Sequence, residues 1–192
     1  IRLLIENNVI VSAGHSNATY EQATAGFNKG ITTATHLFNA MSPLEGRALG
    51  MVGAVYDHAT VHSSIVCDGF HTSFAAVRIS KKMMQERLFL ITDAVTEVKE
   101  GAYQHVLKDD RYVLPDGTLS GSALTMIKAV NNCVNEAGIE FDEALRMASL
   151  YPARAAQLQG FGKIEEGFKA DLIILSNERK IKQVYRNEMF LY

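Results

Sequence analysis

Short runs of β-branched and apolar residues alternate along the chain with longer stretches in which apolar positions recur every three or four residues. Val9 to Ala13 (VIVSA) reads as a buried strand ending at Gly14-His15. Ser16 or Asn17 is placed to cap a helix from Ala18 to Lys29, which Gly30 stops. Ile31 to Thr35 (ITTAT) is the next strand and delivers His36. Thr60 to Cys67 forms a third, ending at Asp68-Gly69, and Leu88 to Thr92 (LFLIT) a fourth, ending at Asp93. Between these last two, a helix from about Thr72 to Glu86 lines up Ala76, Ile79 and Met83 on one face. Strands alternating with helices imply parallel pairing through right-handed crossovers. Four such strands make half of an eight-stranded barrel, which typically takes ~250 residues; at 192 residues this chain does not close one by itself.

After Asp93 the rhythm changes. Tyr103 to Val113 reads as a hairpin around Asp109-Asp110, and Pro115-Asp116-Gly117 as a turn. A helix is expected over Thr125 to Ala137, with Leu124, Ile127, Val130 and Val134 apolar and Gly138 as its stop. Asp142 can cap the next helix, and Pro152 suits the first turn of another. The pattern then becomes β: Leu172 to Leu175, Ile181 to Tyr185, a turn at Arg186-Asn187-Glu188, and Met189 to Tyr192. The expected division is therefore residues 1–160 as a partial barrel and 161–192 as strands of a small β domain. The chain opens at Ile1 without a methionine, inside an apolar stretch, which reads as part of a longer polypeptide.

Composition narrows the class of protein. Nineteen Lys and Arg against 21 Asp and Glu leave a net charge of −2, so no generally basic nucleic-acid surface or polybasic membrane patch is present. No apolar run reaches ~18 residues, so no membrane-spanning helix is expected. Two cysteines, Cys67 and Cys133, are too few for a disulfide framework in a chain of this length.

The candidate chemistry lies at strand ends. His15, His36, His71 and Asp93 follow four consecutive predicted strands, and in a parallel barrel those C-terminal ends converge on one face. His15 and His36 stand one βα unit apart, which brings two imidazoles to neighbouring strand ends, a donor pair suited to zinc. Asp93 is placed to act as a general base toward water. Each residue alone also has a plain structural reading, as a helix cap, a turn residue or a satisfied core histidine; four in series at equivalent positions favour a site. Arg47, in the loop after the His36 strand, is either a solvated surface residue or an anion clamp. His58, His62 and His105 have no such placement and read as structural or surface residues.

Five blocks in order, GHSNAT (Gly14 to Thr19), THLFNAM (Thr35 to Met41), CDGFH (Cys67 to His71), ITDA (Ile91 to Ala94) and TLSGSALTM (Thr118 to Met126), closely resemble the N-acetylglucosamine-6-phosphate deacetylases of the amidohydrolase superfamily. LYPARA (Leu150 to Ala155) and GKIEEGFKADLIIL (Gly162 to Leu175) resemble that family's C-terminal part. The resemblance implies the C-terminal half of a (β/α)8 TIM-type barrel with strands of a small β-sandwich domain. It implies hydrolysis of N-acetyl-D-glucosamine 6-phosphate to glucosamine 6-phosphate and acetate, in the cytoplasm, by a homo-oligomer (dimer or tetramer) that binds neither nucleic acid nor membrane. His15 and His36 match protein ligands of one divalent metal per subunit, zinc or iron. Asp93 matches the catalytic base and later acid, and His71 the contact to the N-acetyl carbonyl. Asn39, Ala40 and Arg47 match phosphate-binding positions; Asp68, Gly69 and Phe70 belong to the substrate-facing segment of His71. Leu119, Ser120 and Gly121 match a loop that covers the substrate. The family's third metal ligand, a glutamate on an earlier strand, has no counterpart here. The competing expectations are an amidohydrolase for a cyclic amide or nucleobase, and a fragment without activity.

Overall fold

The computed structural model describes residues 1–101, 104–108, 111–186 and 189–190. After a short helix α1 (Arg2–Glu6), four strands lie side by side in chain order, all parallel: β1 (Ser12–Ala13), β2 (Thr33–Ala34), β3 (His62–Val66) and β4 (Leu88–Ile91). Helices α2 (Tyr20–Asn28), α3 (Gly50–Asp57) and α4 (Phe74–Met84) make the three crossovers. Helices α5 (Met126–Asn135), α6 (Phe141–Ala148) and α7 (Leu150–Ala155) follow, and each packs on β4. This is the half-barrel architecture that the alternating pattern predicts.

Its core joins Ile65, Val66, Leu88 and Leu90 of the sheet to Val52 and Val55 of α3, Val77 and Met84 of α4, Val130 of α5 and Met147 of α6, all essentially inaccessible to solvent. Burying each such side chain contributes about 1.5–3 kcal/mol. Glu143 on α6 ties three helices together, pairing with Lys81 of α4 and Arg146 of its own helix while accepting from the Tyr151 hydroxyl at 2.9 Å.

A second, antiparallel sheet comprises β5 (Val106–Lys108), β6 (Arg111–Val113) and β7 (Leu119–Ser122). It is sewn to the parallel sheet where Ser122 N–H donates to Asp93 O (3.0 Å) and Val95 N–H donates to Ser122 O (3.2 Å). A third sheet, β8 (Leu172–Leu175), β9 (Ile181–Arg186) and β10 (Met189–Phe190), is antiparallel with β9 in the middle. Between it and α5–α6 lies an apolar cavity of about 480 Å³ lined by Ile127, Val130, Leu145, Phe161 and Leu172, among others.

Several local expectations are corrected. The strand over Val9 to Ala13 shrinks to Ser12–Ala13, because β1 pairs on one side only and Val9 and Ile10 stay exposed. Thr19, not Ser16 or Asn17, caps α2: its hydroxyl accepts from Gln22 N–H while the Gln22 side chain accepts from Thr19 N–H, a complete capping box. On α4 the buried face is Val77, Ser80 and Met84, whereas Ile79 and Met83 are exposed. Ser80 tolerates burial because its hydroxyl donates to Ala76 O and meets the Tyr56 hydroxyl. Asp142 lies in the first turn of α6, whose N-cap is Glu140. Leu119 to Gly121 form strand β7, not a loop. The turn expected at Asp109-Asp110 lies outside the described residues, as does that at Arg186-Asn187-Glu188 apart from Arg186, which ends β9.

Candidate active site

Parallel pairing in register sends the ends of β1, β2, β3 and β4 to one rim, so His15, His36, the Asp68–His71 segment and Asp93 all emerge from the same edge of the sheet. Glycine at position 14 permits the closest approach. A Cβ there would sit 3.2 Å from Thr35 Cβ and 3.8 Å from His36 Cε1. The neighbouring imidazoles meet with ring centroids 4.6 Å apart, tilted by 41°. His36 is buried, and its backbone N–H donates to Ser64 Oγ at 2.8 Å. Ser64, buried within β3, thus pins the turn that carries His36, a role the sequence reading missed. The only hint in the sequence is a polar pair, Ser63-Ser64, inside an otherwise apolar strand.

His15 (φ 45°), His36 (φ 38°) and Asp93 (φ 50°) all adopt the left-handed backbone region immediately beyond their strands. Non-glycine residues there are uncommon, and each is held at a conformational cost of about 1–2 kcal/mol. A shared strained geometry at three strand ends marks the rim as a place where side-chain direction outranks backbone ease.

The donor set offers a direct test of the metal that the resemblance implies. His36 Nδ1 is buried without a hydrogen-bond partner. An orphaned imidazole nitrogen beside a second imidazole fits a borderline divalent cation. Among the described residues no third His, Cys, Asp or Glu joins them, so the described residues supply two donors.

His71 is anchored differently. Its Nδ1 lies 2.6 Å from Asp68 Oδ2, and both side chains are 7% exposed. Phe70, 44% exposed, carries the Arg111 guanidinium over its ring at 4.4 Å, so β6 leans on the Asp68–His71 segment. Ser120 Oγ on β7 is 3.0 Å from His105 Nδ1, which gives that histidine a structural place. Asp93 is exposed, with its backbone carbonyl held by Ser122.

The remaining predicted residues gather at the next loop. Asn39 Nδ2 donates to His36 O at 3.3 Å, and Ala40 takes a left-handed φ of 49°. Met41 bridges to Ser16, and the Ser42 hydroxyl accepts from Met51 N–H at 2.7 Å, which joins the His15 and His36 loops to the start of α3. Gly50 is required at that start: its φ is 58° and a Cβ would lie 2.4 Å from Pro43 O. Exposed Arg47, with Asn17, Thr19 and Ser42, borders a groove of about 620 Å³ beside these loops, and it makes no ion pair among the described residues.

Residues 5–188 match the amidohydrolase family. The chain belongs to the amidohydrolase family. Among relatives of this amidohydrolase, N-acetylglucosamine-6-phosphate deacetylase of Haemophilus influenzae is 40% identical over 186 residues, 90% of this chain and 48% of the relative. N-acetylgalactosamine-6-phosphate deacetylase of Escherichia coli O157:H7 is 33% identical over 96% of this chain and 51% of the relative. The crystal structure of N-acetylglucosamine-6-phosphate deacetylase from Pasteurella multocida superposes with a TM-score of 0.94 at 38% identity, covering 99% of this chain and 52% of that one. The chain spans about half the length of the curated relatives it matches.

Proposed function

We propose that this amidohydrolase chain supplies the C-terminal half of the active site of an N-acetylglucosamine-6-phosphate deacetylase. The observation that carries the reading is the pair of imidazoles of His15 and His36, one with an orphaned nitrogen, on the same rim as Asp93. Support comes from relatives named for this reaction and from the five sequence blocks in order. The domain division at residue 160, the cytoplasmic setting and a homo-oligomeric assembly are part of the same proposal.

His15 and His36 would hold a divalent metal, zinc before iron, and such an ion supplies Lewis acidity that makes water a competent nucleophile near neutral pH. Asp93 takes the proton of the attacking water and then delivers it to the departing amine, which cannot leave as an anion. His71 donates to the acyl oxygen as negative charge develops there, a contribution of ~3–4 kcal/mol for one well-placed donor. Asn39, Ala40 and Arg47 bind the 6-phosphate away from the scissile bond and convert that affinity into orientation. Leu119, Ser120 and Gly121, on a strand bonded alongside Asp93 to Val95, wall the substrate on the β4 side.

The deciding experiment measures acetate release by a polypeptide that carries this chain with a complete barrel. Its substrates are N-acetylglucosamine 6-phosphate, the C4-epimeric galactosamine compound and unphosphorylated N-acetylglucosamine. The glucosamine phosphate is expected to have the highest kcat/KM, the substrate named for the Haemophilus influenzae relative at 40% identity. Turnover of a cyclic amide with none of the sugar phosphates overturns the reading.

A further inference from the structure

Asp68 resembles a substrate-facing residue in sequence, yet its oxygens are committed within its own loop. Oδ1 accepts from the backbone N–H groups of Phe70 (2.9 Å) and His71 (2.8 Å), and Oδ2 receives His71 Nδ1 at 2.6 Å. An ionised carboxylate only accepts, so the imidazole nitrogen it faces carries the proton. Burial works to raise the Asp68 carboxyl, but the His71 ring and the two N–H groups outweigh it and hold the group below the ordinary carboxylate value. His71 Nε2 makes no hydrogen bond among the described residues. Gly69, with φ 83°, forms the bend that closes this loop, and a Cβ there would strike the Phe74 ring at 2.9 Å.

We propose that Asp68 is a positioning residue that fixes the Nδ1–H of His71 and thereby makes Nε2 the atom that meets the substrate's acyl oxygen. The inference rests on the deacetylase reading for the identity of that oxygen, and on this chain alone for the pairing. An acyl oxygen also only accepts, so the contact requires a proton on Nε2 as well. His71 then works as an imidazolium with Asp68 as its counter-ion, and the donor stays directed along one line while charge builds on the oxygen.

Asp68→Asn separates this from a merely structural role. The amide oxygen can still accept from Phe70 and His71, keeping the loop, while the amide nitrogen donates to Nδ1 and drives the histidine proton to Nε2 in a neutral ring. In the complete-barrel polypeptide, nitrogen NMR of selectively labelled histidine should show His71 protonated at Nδ1 in the wild type and at Nε2 alone in the variant. For N-acetylglucosamine 6-phosphate, kcat should fall about tenfold, because the variant keeps an Nε2–H donor but loses the imidazolium charge that strengthens the bond to the developing oxyanion, with KM within about threefold because phosphate binding is untouched. A His71 ring without a proton on Nδ1 in the wild type overturns the proposal, and so does a variant with the shifted tautomer and an unchanged kcat. If Asp68→Asn does not fold, the wild-type spectrum decides the pairing alone. A wild-type protein inert toward every acetylated sugar phosphate removes the deacetylase reading, and the spectrum still supports or overturns the pairing.

Discussion

Asp93 is exposed at the sheet rim, and among the described residues its backbone, through Ser122, is what ties it to the fold. Asp93→Asn in the complete-barrel polypeptide should therefore leave the melting temperature and metal stoichiometry unchanged while kcat falls by ~10²–10⁴; near-normal turnover would exclude it as the proton carrier. Arg47 gives a different signature. Arg47→Met should lower kcat/KM for the phosphorylated sugar by ~10-fold or more, the effect of losing a charged hydrogen bond of ~1.5–3 kcal/mol, and barely change it for the unphosphorylated sugar. An equal drop for both substrates assigns Arg47 to scaffolding. At this scale the sequence made His15, His36, His71 and Asp93 visible because each follows an apolar run. It did not show Ser64 beneath His36, since a hydrogen bond 28 residues distant leaves no periodic trace. Nor did it show the commitment of both Asp68 oxygens, since the bonds to Phe70 and His71 depend on the loop's backbone geometry rather than on any sequence period.

Helix α3 shows where pattern reading stops. Gly50, Met51, Val52, Gly53, Ala54 and Val55 are all buried, so the helix has no polar stripe along these residues to create a period, and two glycines lower its intrinsic propensity. On α4 the opposite occurs: the legible apolar set Ala76, Ile79, Met83 is not the core face, and Ile79 lines an outer groove with Phe38, Val52 and Tyr56. The strands, by contrast, were legible to within a few residues at their C-terminal ends, where the chemistry lies. Between helices, Glu143 predicts an acid response. Burial tends to raise its carboxyl, yet hydrogen bonds from Lys81, Arg146 and Tyr151 hold it below the ordinary 4.5. A depressed folded-state value means stability that is fully present above about pH 4.5 and lost as pH falls through that lower value. Glu143→Gln should therefore lower the melting temperature at pH 7, and its deficit should shrink as pH falls through the depressed value. A deficit of the same size throughout places its contribution in packing.

For the molecule as a whole, among the described residues β1 and β4 each leave one edge without a strand partner in the parallel sheet. Open parallel edges invite pairing with other chains. Ile173, Ile174 and Ile181 add exposed apolar surface on the third sheet. The 192-residue chain alone should therefore associate with rising concentration in sedimentation velocity. With two imidazoles where catalytic zinc usually has three protein ligands, it should also release zinc on dialysis. A monodisperse monomer retaining stoichiometric zinc contradicts both expectations. The half-barrel was readable from the strand–helix alternation, but the third sheet's contact with α5–α6 was not, because pairings so distant in sequence depend on packing. The left-handed trio of His15, His36 and Asp93 has a consequence for directed evolution. Glycine, and to a lesser degree asparagine, occupies that backbone region more easily than histidine or aspartate. A library selected for heat resistance alone should drift toward those residues at these three positions, as at other left-handed ones such as Ala40 and Gln85, and its survivors changed at the three should be inert.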